Sequence, residues 1–230
     1  MDWGAQEVHG LDIVSNVGAD YHADNVQYFR MSAEAMQLPD NYYDLVYRFA
    51  TMEHVIDIEA AFKEMVRVTK ASGIIYSVAS PLWNSRSGHH MECLSPFPWM
   101  HLRMNKQEMI DYCLEHGVEG ERGIPIESIV EYVLESNEFN RRPACDYVEA
   151  VAGIRHVKVI SQLLYQEPES IIPDDASAAK GVFSDELLAV THQFIAIKRP
   201  LTWKQELGIW SVGWYRCILN GIRRLLRRSR

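Results

Sequence analysis

Hydrophobic and polar positions in the first 80 residues alternate between short apolar runs and longer amphipathic segments, the rhythm of strands and helices in an α/β layer fold. Glu53–Thr69 carries its apolar residues close to helical spacing, so it predicts an amphipathic helix that ends near Gly73. The apolar runs predict four strands, at Glu7–Val14, Asn25–Arg30, Asp44–Phe49 and Gly73–Ala79. This part of the chain is therefore predicted to be a sheet with a helix packed on it.

The rest of the chain starts with an irregular segment and then returns to regular patterns. Ser80–Met104 contains three prolines, two tryptophans and three histidines, and it predicts a long loop of the kind that often carries function. Three helices are predicted at Asn105–Glu115, Ile126–Glu135 and Cys145–Ala152, with a short one after Ser184. The remaining elements are strands at Val157–Tyr165 and His192–Lys198 and a surface loop at Gln166–Gly181. The predicted fold class is α/β.

Charge divides the 230 residues into a body and a tail. The net charge of the chain is −8, but residues 201–230 hold seven basic residues and one acidic residue, so the tail carries +6 and the body −14. On a helical wheel the arginines of the tail lie opposite Trp214, Ile218 and Leu219. This pattern predicts that residues 207–230 lie on an anionic membrane surface, the alternative being packing on the acidic body. We therefore divide the chain into a domain at 1–200 and a basic tail at 201–230.

Composition excludes several classes of protein. The acidic body argues against a nucleic-acid partner, whose electrostatic footprint would be basic. The four cysteines are far apart and form no CxxC pair, so neither a zinc finger nor a disulfide framework is predicted. The first residues lack the features of a signal peptide, and the longest apolar stretch is interrupted by Arg216 and falls short of the roughly 20 residues that span a bilayer. The predicted location is cytoplasmic, with peripheral attachment to the inner face of a membrane through the tail.

Asp12 is the first residue with a candidate chemical role. It ends a predicted strand, where α/β folds that bind nucleosides place a carboxylate that accepts hydrogen bonds from ribose hydroxyls. An aspartate also suits the turn that follows many strands, and by itself the residue does not separate the two interpretations.

Four stretches carry a resemblance to a known family. They read GLDI at Gly10–Ile13, FRMSAEAMQLP at Phe29–Pro39, YDLVYRFATMEHV at Tyr43–Val55, and FKEMVRVTKASGIIYSVAS at Phe62–Ser80. In this order and spacing they resemble the type-11 family of class I S-adenosylmethionine-dependent methyltransferases, over about Glu7 to Ser80. The resemblance implies a Rossmann-like sheet with helices on both faces, S-adenosylmethionine as cofactor, and methyl transfer to a small-molecule, sugar or lipid-linked acceptor.

The resemblance also implies which residues bind the cofactor. Asp12, followed by Ile13, would hold the ribose, and Ala33 and Glu34 would lie beside the adenine. Arg48, Phe49 and Ala50 would line the part of the site that holds the methionine portion of the cofactor. Ser32 departs from the family, which usually has an aspartate there, so the hydroxyl can accept a hydrogen bond but brings no charge.

Histidines are the candidate catalytic bases. His54 matches a histidine that family members often place at the start of the helix after the third strand of this chain, although packing alone would also explain it. His89 and His90 lie in the predicted loop, where such domains build acceptor contacts, or they hydrogen-bond loop backbone. No metal site is predicted, because His89, His90, Glu92 and Cys93 are adjacent and lack ligand spacing. The aromatic residues of this loop would form either an acceptor pocket or a lid core: Trp83, Phe97 and Trp99.

One expected feature of the family is missing. Its glycine-rich loop should lie about twenty residues before Asp12, and only eleven residues precede Asp12 here. In the family's strand order the missing strand would lie in the middle of the sheet, between the strand that ends at Asp12 and the strand at Asp44. The sequence is therefore interpreted as a truncated reading of a longer methyltransferase, with a degenerate, non-catalytic interaction module as the alternative.

Overall fold

A computed structural model describes residues 4–19, 21–168, 182 and 184–200. The predicted tail at 201–230 and most of the predicted loop at 166–181 lie outside the described residues. The strands are β1 (Val8–Asp12), β2 (Val26–Arg30), β3 (Tyr43–Phe49), β4 (Thr69–Ala79), β5 (Gly120–Glu121), β6 (Ile124–Pro125), β7 (Val157–Gln166) and β8 (Ala189–Lys198). The helices are α1 (Ile58–Val68), α2 (Met100–Arg103), α3 (Lys106–Glu115), α4 (Ile126–Glu135), α5 (Ala144–Ala152) and α6 (Ser184–Leu188). The predicted α/β class is confirmed.

The larger strands form two separate ladders. β1 and β2 pair in parallel, and a second sheet has the order β3-β4-β8-β7, in which β3 and β4 are parallel and the other neighbours are antiparallel. β5 and β6 form a small hairpin that the sequence pattern did not predict. Because β1 runs parallel to β2 and β3 runs parallel to β4, the carboxyl ends within each of these two pairs lie at one edge.

The break between the two ladders falls between β1 and β3. Side chains connect the amino-terminal ends of these strands: Tyr42 donates its hydroxyl hydrogen to Glu7 at 2.5 Å, and His9 Nδ1 lies 2.5 Å from the Tyr43 hydroxyl. No backbone ladder joins β1 to β3 within the described residues. Side chains rather than a backbone ladder thus join β1 to β3 among the described residues.

Helix α1 begins later than the pattern predicts. The side chain of Asp57 accepts a hydrogen bond from the Ala60 N–H and so caps the helix, while Met52–His54 forms a separate 3₁₀ turn. The predicted start at Glu53 was wrong, because an apolar periodicity does not show where a capping side chain ends one element and starts the next. Phe62 of α1 is fully buried and meets Phe194 of β8 edge-on, with ring centroids 5.7 Å apart. The main core therefore lies between α1 and this sheet.

A second, smaller core joins α3 and α4. Asn105 and Glu108 form a reciprocal capping box at the start of α3, and Met109 and Cys113 are buried against α4. The predicted loop at 80–104 includes a 3₁₀ turn at Glu92–Leu94 and helix α2. Trp99, at the end of that loop, is fully buried and donates its indole N–H to the carbonyl of Leu187. Trp99 therefore belongs to the packed core, which agrees with the lid-core alternative.

Among the described residues, nothing covers one face of β3. Leu45, Tyr47 and Phe49 alternate along the strand on the same side, and they are 52%, 64% and 66% exposed. Ile74, the register partner of Leu45 on β4, is also exposed. On the opposite side Val46 packs against the main core and Arg48 is buried. The uncovered β3 face, defined by Leu45, Tyr47, Phe49 and Ile74, is thus a contiguous apolar surface.

Across the described ranges, none of the helices has both the length and the apolar character needed to cross a bilayer. The membrane prediction concerns residues 207–230, which lie outside those ranges.

Candidate active site

Asp12 lies at the carboxyl end of β1 with its side chain turned toward the chain that follows. Its Oδ1 atom accepts hydrogen bonds from the backbone N–H groups of Ile13 at 2.7 Å and Val14 at 3.2 Å. The residue is exposed, and no hydrogen bond to its Oδ2 atom is found among the described residues. The turn interpretation and the ribose interpretation are therefore compatible, since one oxygen fixes the turn and the other has no hydrogen-bond partner among the described residues.

The predicted adenine-side residues lie beside this carboxylate. The Met31 N–H donates to the Asp12 carbonyl at 2.9 Å, so the backbone of the next residues starts next to Asp12. Ser32 Oγ accepts a hydrogen bond from the Glu34 N–H, and Glu34 Oε1 accepts one from the Asp57 N–H at 2.9 Å. The structure thus gathers Asp12, Ser32 and Glu34 at one edge and ties that edge to the start of α1.

The three predicted methionine-side residues do not share one surface. Arg48 is buried and donates from its guanidinium to the Met52 sulfur. Burial lowers the pKa of Arg48 to about 10, and Glu34 opposes this shift. Phe49 points to the uncovered β3 face, whereas Ala50 has a left-handed backbone with φ of 48° and donates its N–H to the Val78 carbonyl. Only Ala50 stays at the carboxyl edge between β3 and β4, in a conformation that non-glycine residues adopt rarely.

The residues fit part of an S-adenosylmethionine site. Asp12 offers an exposed carboxylate at the same sheet edge as the Ser32–Glu34 segment, a donor and acceptor set suited to a ribose and an adenine. On the other side, no described segment stands between β1 and β3 to supply the backbone N–H groups of a glycine-rich loop. The donors and acceptors of this edge therefore suit the nucleoside part of such a cofactor.

His54 and His90 form a pair at the carboxyl ends of β3 and β4. They are 36 residues apart in the chain, yet their ring centroids are 5.1 Å apart and both side chains are half-buried. His54 Nδ1 donates to the Glu138 carbonyl at 2.8 Å, and His90 Nε2 donates to the Pro81 carbonyl at 3.0 Å. A carbonyl oxygen only accepts, so each neutral ring keeps its other nitrogen as an acceptor.

His89 points elsewhere. It is fully buried, its Nδ1 accepts the Met91 N–H, and its ring meets His101 at 5.4 Å. Burial, together with the neighbouring histidines His101 and His90, lowers the pKa of His89 to about 3. Of the three predicted bases, the structure brings His54 and His90 together and leaves His89 in the protein interior.

Sequence reasoning missed Glu53, which lies directly before His54. Its side chain is 3% exposed, and neither carboxylate oxygen has a hydrogen-bond partner among the described residues. Burial raises the pKa of Glu53 to about 7; the backbone N–H groups of Glu53 and Ser80 oppose the rise without making a normal hydrogen bond. The sequence feature that could have pointed to Glu53 is an acidic residue within a segment assigned to an amphipathic helix.

Aromatic side chains close one side of the His54–His90 pair. Phe139 is buried with its ring centroid 5.4 Å from His54 and 5.1 Å from His90. Trp83 lies 5.5 Å from Phe139, and the Arg141 guanidinium stands over the Trp83 ring at 5.2 Å. Trp83 was a predicted acceptor-pocket residue, whereas Phe139 lies outside every motif of the sequence and had no signal.

Comparison with known proteins gives a family match and several structural likenesses. An S-adenosylmethionine-dependent methyltransferase from Mesorhizobium loti is 15% identical over 85% of this chain and 82% of its own, with a TM-score of 0.45. The YcgJ protein from Bacillus subtilis is also 15% identical, over 85% of this chain and 84% of its own, with a TM-score of 0.45. Identities this low transfer neither residues nor substrates. No curated protein matches the chain.

The family match concerns the first part of the chain. Residues 1–77, about a third of the chain, match the methyltransferase domain family Methyltransf_11. The match covers less than half of the chain, and it shows that this segment is similar to methyltransferase domains. S-adenosylmethionine is the cofactor that the match of residues 1–77 implies.

Proposed function

We propose that the protein transfers a methyl group from S-adenosylmethionine to a hydroxyl group of a small-molecule, sugar or lipid-linked acceptor. The observation that carries this proposal is the His54–His90 pair, half-buried at the carboxyl ends of β3 and β4, with an aromatic wall on one side. A hydroxyl of high pKa needs a base when it attacks, and a neutral imidazole is the side chain best suited to that task near neutral pH.

Each part of the site has a defined task in this proposal. When bound, S-adenosylmethionine supplies a methyl group on a positively charged sulfur. Asp12 accepts a hydrogen bond from a ribose hydroxyl, and Ser32–Glu34 borders the base. The free nitrogen of His54, Nε2, takes the proton of the acceptor hydroxyl, while Trp83 and Phe139 pack on the acceptor and exclude water.

Calorimetric titration of S-adenosylmethionine into the Asp12→Ala variant tests the cofactor side. A hydrogen bond to a charged group contributes about 1.5–3 kcal/mol, so we expect the Kd to rise roughly 10- to 150-fold. Asp44→Ala is the matched control, because Asp44 lies at the amino-terminal end of β3 and pairs with Lys70 at 2.8 Å. Equal Kd values for wild type and Asp12→Ala would remove Asp12 from the site.

The separation of β1 and β3 favours a second candidate function, a non-catalytic interaction module of methyltransferase ancestry. The same titration separates the two, because a folded wild-type protein that takes up no S-adenosylmethionine would support the module and exclude the enzyme. The fold is checked independently by near-ultraviolet circular dichroism of the buried tryptophan and tyrosine side chains, Trp99 and Tyr147.

We also propose that the basic tail holds the protein at an anionic membrane surface. The support is the charge of +6 in residues 201–230 opposite an apolar stripe, since each Lys or Arg near an anionic surface contributes about 1 kcal/mol. Sedimentation with vesicles of phosphatidylglycerol and phosphatidylcholine should pellet the full chain but not a variant that lacks residues 207–230. Pure phosphatidylcholine vesicles are the control, and equal pelleting of both forms on anionic vesicles would contradict the proposal.

A further inference from the structure

Glu53, His54 and His90 form a compact group of potential metal ligands. One ligand atom from each residue lies within 4.8 Å of the other two. Glu53 and His54 belong to the 3₁₀ turn after β3, and His90 belongs to the segment after β4, so two separate parts of the chain build the group. Asn140 fastens the first part, because its side chain donates to the carbonyls of Met52 and Val55 at 2.7 and 2.8 Å.

The two imidazoles are held as metal-binding histidines are held in other proteins. In such sites the ring nitrogen that does not bind the metal donates to a carbonyl or a carboxylate, which fixes the tautomer and the orientation of the ring. His54 makes this bond to the Glu138 carbonyl, and His90 makes it to the Pro81 carbonyl. Their remaining nitrogens, His54 Nε2 and His90 Nδ1, are therefore lone-pair donors.

Glu53 provides an independent observation. A carboxylate that is 97% buried normally has partners for its oxygens, since an unpaired buried charge is costly, but neither oxygen of Glu53 has one among the described residues. A cation beside the two histidines would supply the missing partner.

We propose that Glu53, His54 and His90 bind one divalent transition-metal cation of the zinc type. Two imidazole nitrogens and one carboxylate oxygen are the ligand set of many catalytic zinc sites, in which a fourth position stays open. Magnesium fits the set poorly because it prefers oxygen ligands. Ligand atoms about 2.0–2.2 Å from a tetrahedral zinc lie about 3.4 Å apart, so closing the site requires side-chain movements of about 1 Å.

The role of the cation rests on the proposed function. Its open position would take the acceptor oxygen and lower the pKa of the acceptor hydroxyl. The O–H bond would then break with the proton passing to water, and the oxygen would use the retained electron pair to bond to the methyl carbon. The bond between that carbon and the sulfur would break at the same time, and its electron pair would stay on the sulfur, which becomes neutral. In this arrangement the two histidines and Glu53 position the cation, and the cation rather than His54 activates the hydroxyl.

Titration of the EDTA-treated, dialysed full chain with Co²⁺, followed by visible absorbance, tests the site without any methyl acceptor. We expect one equivalent of Co²⁺ to bind with the strong d–d bands of a four- or five-coordinate ion, and Zn²⁺ to displace it. Glu53→Gln and His90→Gln should each weaken binding by at least the roughly 10- to 100-fold that loss of an outer-shell partner costs. His116→Gln is the matched control, because His116 is exposed and stacks on Tyr112 away from the group.

Two outcomes would overturn the proposal: Co²⁺ binding that does not saturate at one equivalent, or equal affinity of wild type, Glu53→Gln and His90→Gln. Glu53→Gln keeps the size of the side chain, so it answers the question if His90→Gln fails to fold. Stoichiometric Co²⁺ binding by a chain that takes up no S-adenosylmethionine would support the metal site and reject the methyltransferase function. Methyl transfer that is unaffected by EDTA would support the methyltransferase function and reject the metal site.

Discussion

Replacing His54 with glutamine should lower the rate of methyl transfer by roughly 10²- to 10⁴-fold, the contribution of a well-placed general base. The same direction is expected if His54 instead holds the proposed cation that activates the hydroxyl. Glutamine preserves the possibility of a hydrogen bond to the Glu138 carbonyl but cannot take a proton. The measurement is the release of S-adenosylhomocysteine with a panel of hydroxyl acceptors that includes phenols, sugars and isoprenoid alcohols. The Kd for S-adenosylmethionine should stay unchanged, because His54 acts on the acceptor.

Two control variants show whether a loss of rate is specific to His54. His116→Gln changes an exposed histidine outside the site and should keep the wild-type rate. His89→Asn changes a buried histidine whose Nδ1 accepts the Met91 N–H, a bond that an asparagine oxygen can replace, so its effect should appear in stability and not in the rate of the folded fraction. A His54→Gln rate within a factor of three of wild type would exclude His54 as a base or ligand.

Acidification from pH 6.5 to pH 4.5 should destabilise the protein by several kcal/mol. Burial lowers the pKa of His89 to about 3 and those of His90 and His192 to about 4, so the unfolded chain binds protons in this range that the folded chain does not. Each such histidine stabilises the fold above pH 6.5 and loses this contribution as the pH falls toward its folded pKa. Glu53 acts in the opposite direction, because its raised pKa of about 7 lets the folded chain bind a proton that the unfolded chain releases above pH 4.5.

Urea unfolding at several pH values, in the presence of EDTA, checks the direction in which the histidines and Glu53 each change the free energy of unfolding. His192→Gln should remove one proton from the difference between folded and unfolded states and flatten the pH dependence of the unfolding free energy by about 1.4 kcal/mol per pH unit. Glu53→Gln should make the unfolding free energy depend more steeply on pH, because it removes the carboxyl group whose raised pKa opposes the effect of the histidines. If both variants changed the slope of unfolding free energy against pH in the same direction, the opposite pKa shifts of His192 and Glu53 would be contradicted.

The regular elements were predictable because their signals are local. The apolar runs of β1 to β4 and the periodicity of α3 and α4 each lie within about a dozen residues, and the structure contains all of them. The start of α1 was misplaced by a few residues, since the Asp57 cap depends on a single side chain. The short β5–β6 hairpin lacks an apolar run altogether.

The candidate site was only partly predictable because its parts come from distant positions in the chain. Asp12, Ser32 and Glu34 follow consecutive strands, and strand order alone brings them to one edge. By contrast, the contact of His54 with His90 and Phe139 depends on how the segments after β4 and α4 fold back. The burial of Glu53, and therefore its raised pKa, is likewise a property of the packed structure and not of its neighbours in sequence.

The uncovered β3 face adjoins a strand edge that has no ladder partner toward β1 within the described residues. An extended strand with a free edge and three large apolar side chains on one side is a template for further β pairing between molecules. Strand β3 is therefore the place in the described part of the chain where a strand from another molecule could add. Lysine in place of Tyr47 would act as a gatekeeper against such intermolecular sheets.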